Sequence, residues 1–181
     1  MIIARQKRRE NIAEYILYMW QVEDTIRACE FNMDLIEQRV ISQFEGNQQK
    51  KRQINNWYAD IIVMMHEQGI QEAGHLMSLN NLVEELNSLH RNLIDRKQDP
   101  DYMKLYYNAV PNIRDFEKRL GRKPVNEIDT CLTAIYALLL LRLQKKKISR
   151  ETMEAMQTFS SLLALLAKWF RNMEDEKTKL D

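Results

Sequence analysis

Apolar residues recur along this chain at spacings of three and four, the period of an amphipathic α-helix. From about Arg9 to Glu30 the register runs through Ile12, Tyr15, Met19, Val22, Ile26 and Cys29. Phe31-Asn32 reads as a restart, because Asn32 can cap a following helix and Phe31 can staple onto Ile36. The register also continues through Met33, Ile36 and Val40, so one long kinked helix fits as well as two. A third helix covers about Gln48 to Gln68, with Ile54, Trp57, Tyr58, Ile61 and Met65 on one side. Gln68-Gly69-Ile70 then reads as a short connection, which makes the next helix, about Gln71 to Lys97, an antiparallel neighbour. Asp99-Pro100-Asp101 opens a further helix, which Pro111 kinks or restarts and Leu120-Gly121-Arg122 stops. No segment shows the alternation of a strand.

The same pattern singles out Asn126–Lys147, NEIDTCLTAIYALLLLRLQKKK. No polar residue interrupts it from Ala134 to Leu141 except the Tyr136 hydroxyl, and Leu and Ala are strong helix formers. A helix this apolar must be covered by others. It is too short for a membrane span, which takes about 20 apolar residues. Asn126 caps it, and Lys145 to Lys147 put cations at the negative end of its dipole. Ser149 caps a last helix along Met153, Met156, Phe159, Leu163, Leu166 and Phe170, with a charged tail from about Met173. The predicted architecture is all-α: a single helical domain over 1–181, a bundle of six or seven helices around Asn126–Lys147.

Composition narrows the classes. Four Gly and three Pro in 181 residues favour long helices over many turns, and 45% hydrophobic residues supply a core. The net charge of +1 gives no pull toward nucleic acid or an anionic membrane, so neither is expected as a partner. Arg5 to Arg9 are not followed by the apolar stretch of a secretory signal. Cys29 and Cys131 sit in apolar helical contexts and read as reduced core thiols of a cytoplasmic protein.

The opening IIARQKRRENIAEYILYMWQVEDTIRA, then WYADIIVMM at Trp57, GHLMSLNNLVEELNSLH at Gly74 and NEIDTCLTAIYALLLLRL at Asn126, are spread along most of the chain. Together they resemble a bacterial family described only as a domain of unknown function. The resemblance implies an intracellular helical protein and supplies no catalytic residue.

Two sets of residues are candidate sites. His66 and His75 flank Gly69, and Glu72-Ala-Gly-His75 has the Glu-x-x-His spacing that places two metal ligands on one helix face. His66, Glu72 and His75 are therefore the candidate metal ligands of a hydrolase or oxidoreductase. A di-iron bundle would need a second such motif, and none is present. The other set is charge on apolar faces. Glu23 lies on the packed side of its helix with Ile16, Met19 and Ile26, Arg27 follows one turn on, and Arg142 points away from the polar side of its own helix. Unpaired charges are not left buried, so Glu23, Arg27 and Arg142 are expected to form a buried polar network, or the lining of a site for a small polar or anionic ligand. His90 falls on the Leu86–Leu93 stripe and reads as a core histidine with a hydrogen-bond partner. No P-loop, dinucleotide fingerprint or nucleophile elbow is present. The function expected is that of a cytoplasmic binding or interaction module without a cofactor, its partner a protein or a small molecule, with homo-oligomerisation left open.

Overall fold

Capping side chains and left-handed residues, more than glycine and proline, divide this chain into helices. The computed structural model describes residues 2–97, 99–121 and 123–180, with side chains for 3–97, 99–121 and 123–176. Among these there are eight α-helices and no strand: α1 (Ile2–Glu10), α2 (Ile12–Ala28), α3 (Met33–Arg39), α4 (Gln48–Glu67), α5 (Met77–Arg96), α6 (Pro100–Arg119), α7 (Glu127–Leu143) and α8 (Arg150–Leu180). The fold is all-α.

The helix beyond the expected six or seven is α1. Asn11 ends it, its side-chain oxygen accepting the Ala13 N–H at 3.0 Å as the N-cap of α2. The break after α2 is a full stop rather than a kink. Phe31 N–H bonds to Ile26 and Glu30 N–H to Arg27, a Schellman closure with Glu30 at φ 53°. Asn32 then caps α3, accepting from Asp34 and Leu35. The same closure ends α4 at Gly69 and α7 at Lys145, the latter with φ 55°. α6 runs without interruption through Pro111. The charged tail continues α8 to Leu180; Arg122 of the expected stop signal and Asp181 lie outside the described residues. No described helix is long and apolar enough to cross a membrane.

The chain falls into two compact units: Met1–Arg8 with Glu14–Asn81, and Arg9–Ala13 with Leu82–Asp181. In the first unit, α3 and a 3-10 turn (Ile41–Gln43) pack on α4. Its buried side chains include Ile16, Trp20, Ile26, Ile36, Ile61, Met65 and Leu76. In the second, α6, α7 and α8 pack on one another. Their core is Tyr102, Ala109, Ile113, Ile128, Leu132, Phe159, Leu162, Leu166 and Phe170. Polar pairs fix the register of this trio, which apolar contacts set loosely. Thr130 donates to Glu117 at 3.1 Å, Asn112 to Thr158 at 3.1 Å, and the Trp169 indole to Asp99, the α6 N-cap, at 2.7 Å.

Candidate functional site

In the first unit the charged residues of α2 hold a loop. Where a helix was expected to begin at Gln71, residues 68–76 form an irregular connection and α5 begins only at Met77. Gly69 at φ 65° and Gly74 at φ 96° carry it through conformations that other residues rarely adopt. Such a loop leaves backbone groups without helical partners, and α2 supplies them. Glu23, 0% exposed, accepts the Leu76 N–H at 2.9 Å and pairs with His75 Nδ1 at 2.6 Å. One turn later, Arg27 donates to the carbonyls of Ile70 and Gly74 and to Asp24 at 2.8 Å. The carboxylate takes loop N–H groups and the guanidinium takes loop carbonyls, so each charge meets the group of opposite polarity. His75 also stacks on Trp20, centroids 4.3 Å apart and planes 14° apart.

Gly74→Ala is expected to destabilise the protein by about 1–3 kcal/mol, the cost of forcing a Cβ into that backbone region. An added Cβ would meet nothing closer than Ile70 at 3.5 Å, so the loss would come from the backbone rather than a clash. Urea denaturation checks it, and an unchanged midpoint would mean that the loop relaxes freely.

The remaining predicted residues lie elsewhere. Arg142, expected in a buried network with Glu23 and Arg27, is exposed one residue before the end of α7, its guanidinium 3.6 Å from Met153 Sδ. The helix is about to end there, so a side chain pointing away from its polar face reaches solvent rather than core. The metal set does not converge either. Glu72 and His75 are on the irregular loop, so the helical spacing that would align them is lost. Glu72 is exposed, His66 is exposed and bonds through Nδ1 to Gln71 at 3.0 Å, and His75 Nδ1 is taken by Glu23. Among the described residues no three His, Cys, Asp or Glu stand together as a metal site.

The second unit holds a different constellation, built on α5, α6 and α7. His90, 1% exposed, is bonded on both ring nitrogens: Nδ1 to the Tyr102 hydroxyl at 2.6 Å and Nε2 to Glu127 Oε2 at 3.0 Å. Tyr106 donates to Glu127 Oε1 at 3.3 Å and sets its ring edge-on to His90. The tautomer follows from the chemistry. An ionised carboxylate only accepts, so Nε2 carries the proton, and Nδ1 accepts from Tyr102. Burial pushes the Tyr102 hydroxyl well above its ordinary range and also raises Tyr106, so both stay protonated donors. The hydrogen bond from His90 holds the Glu127 carboxyl below its ordinary value against the opposing effect of burial, with help from Tyr106 and Arg114. Asn126, the α7 N-cap, donates to Glu84 on α5 at 2.8 Å and so fixes Glu127 in place.

A cavity of about 300 Å3 opens beside this chain, lined among others by Asn87, His90, Arg91, Tyr106 and Glu127. Asn87, 3% exposed, lies on the wall of this cavity, and its side-chain amide is not among the buried polar atoms left without a partner. Asn87, His90 and Arg91 share one face of α5 through i, i+3 and i+4 spacing, a signal present in the sequence. Tyr102, Tyr106 and Glu127 were missed, since only tertiary packing joins them to His90.

No curated protein matches this chain, and no solved structure matches it. A family model described as a domain of unknown function matches residues 1–177. With nearly the whole sequence covered by that match, the chain belongs to the family DUF4924, a domain of unknown function to which no activity is assigned.

Proposed function

We propose that this protein is a binding module whose site is the cavity beside Asn87. The observation that carries the reading is the cavity itself, whose wall brings together the polar side chains of Asn87, His90, Tyr106 and Glu127. A small ligand entering it would meet several hydrogen-bonding groups already fixed in place. The cavity volume is at the lower end of the range for small-molecule sites. Binding fits better than catalysis by His90, because both of its ring nitrogens are occupied and neither is free to take a proton from a substrate. We place the protein in the cytoplasm, where its two buried free cysteines, Cys29 and Cys131, would stay reduced.

The test is a small-molecule screen by 1H–15N correlation spectra, following the Asn87 side-chain amide together with the His90 and Tyr106 signals. A ligand should move these together, and Asn87→Leu should abolish the response. The same substitution should leave stability within about 1 kcal/mol, because among the described residues no hydrogen bond to another element is lost with the amide. If Asn87→Leu lowers stability by more than about 1 kcal/mol and no compound moves the signals, Asn87 is a packing residue and the reading fails.

A further inference from the structure

The groups that converge on the cavity also select a ligand class, an inference that rests on the binding reading above. Glu127 is an anion with 38% of its side chain exposed, and no Lys or Arg pairs with it within ion-pair distance among the described residues. His90 and Tyr106 occupy one acceptor position on each of its oxygens. A carboxylate offers about four such positions, so roughly two remain. Asn87 can present its carbonyl as a further acceptor, and Tyr106 adds an aromatic ring to the wall.

The positive end of α7 would favour an anion, but the Asn126 side chain already caps it, accepting the Asp129 N–H at 2.8 Å. The Glu127 charge is present at the same helix end and opposes any anion there. Acceptors, a negative charge and an aromatic ring together suit a cation that carries several N–H donors.

We infer that the cavity takes the primary ammonium group of a small organic molecule, held between the Glu127 carboxylate and the Asn87 amide. Arg91, exposed on the rim, separates two sources of that group. An amino acid would set its carboxylate toward the guanidinium, and a simple amine would ignore it.

The experiment titrates four probes into the labelled full chain: n-butylammonium, L-2-aminobutyrate, butyrate and n-butanol. Butylammonium is expected to shift the Asn87, Tyr106 and Glu127 signals saturably, while butyrate and butanol leave them unmoved. Glu127→Gln, which keeps the shape but removes the charge and one acceptor oxygen, should weaken butylammonium by about tenfold or more. Asn87→Leu, expected to stay within about 1 kcal/mol of the natural protein in stability, should weaken it too and serves if the Gln variant is unstable. Tighter binding of aminobutyrate than butylammonium, lost in Arg91→Ala, assigns the ammonium to an amino acid. Equal binding assigns it to an amine. Saturable shifts with butyrate or butanol in place of butylammonium would overturn the cation inference while leaving the cavity a binding site. Butylammonium binding that is indifferent to both Glu127→Gln and Asn87→Leu would overturn it as well, as would silence with all four probes. Only failure of the wider screen removes the binding reading itself.

Discussion

His75→Ala is expected to destabilise the protein by about 2–3 kcal/mol, the cost of taking a hydrogen bond from a buried carboxylate. His75 is the more exposed partner, at 31% of its side chain, and on exposure alone its truncation should cost little. The loss arises at Glu23. That carboxylate is 0% exposed, and without His75 it keeps one hydrogen bond, from Leu76 N–H. A buried carboxylate with half its partners gone is the expensive state. Truncation also uncovers one face of Trp20. The double variant Glu23→Gln, His75→Ala should recover about 1 kcal/mol, because a neutral Gln can still accept from Leu76 and is cheaper to bury than a carboxylate. Urea denaturation of both variants at neutral pH decides the matter. A single variant within about 1 kcal/mol of the natural protein, or a double variant no more stable than the single, would show that water replaces His75 at no cost.

What the sequence could disclose follows from which interactions are local. The three-four spacing of Ile12 to Cys29 or of Leu79 to Leu93 is written in neighbouring residues, and the helices lie where that spacing puts them. The caps at Asn32, Asn126 and Ser149 are local too, and each accepts the backbone bonds its position predicts. The start of α5 was not legible. Gln71 to Leu76 carries helix formers and an apparent Glu-x-x-His motif, yet the segment is held open by Glu23 and Arg27, some fifty residues earlier in the chain. Helix ends were hard to read for a related reason. Glu30 and Lys145 take the left-handed position where glycine would announce a stop. Charge misled once. Glu23, Arg27 and Arg142 all stand off the polar faces of their helices. Helical phase alone does not say that α7 is one residue from its end at Arg142, where that direction leads to solvent. His90 was legible as a core histidine, but its partners Tyr102 and Glu127 lie 12 and 37 residues away and only packing selects them.

The His90 chain is the second place where one substitution should be costly. His90→Leu leaves the Tyr102 hydroxyl buried without its acceptor and takes from Glu127 its main hydrogen bond, and about 2–4 kcal/mol should be lost. Tyr102→Phe leaves Nδ1 unpaired and should cost about 1–3 kcal/mol. The double variant should lose less than the sum, by about 1–2 kcal/mol, because the second change removes the group that the first one orphaned. Glu127 gives the chain a signature in acid. Its folded carboxyl titrates below the ordinary 4.5, so its contribution is complete above that value and fades as pH falls through the lower folded one. The deficit of Glu127→Gln should therefore be present at neutral pH and shrink below pH 4.5. It should also be small throughout, since solvent reaches more than a third of the side chain. Denaturation of the natural protein, the two single variants, the double and Glu127→Gln across this range tests the whole chain. Additive losses for His90 and Tyr102 would mean that their short contact carries no coupling. A Glu127→Gln deficit that grows in acid would mean that the carboxyl is not held ionised by His90, and the proposed direction of the proton, from Tyr102 through His90 to Glu127, would be wrong.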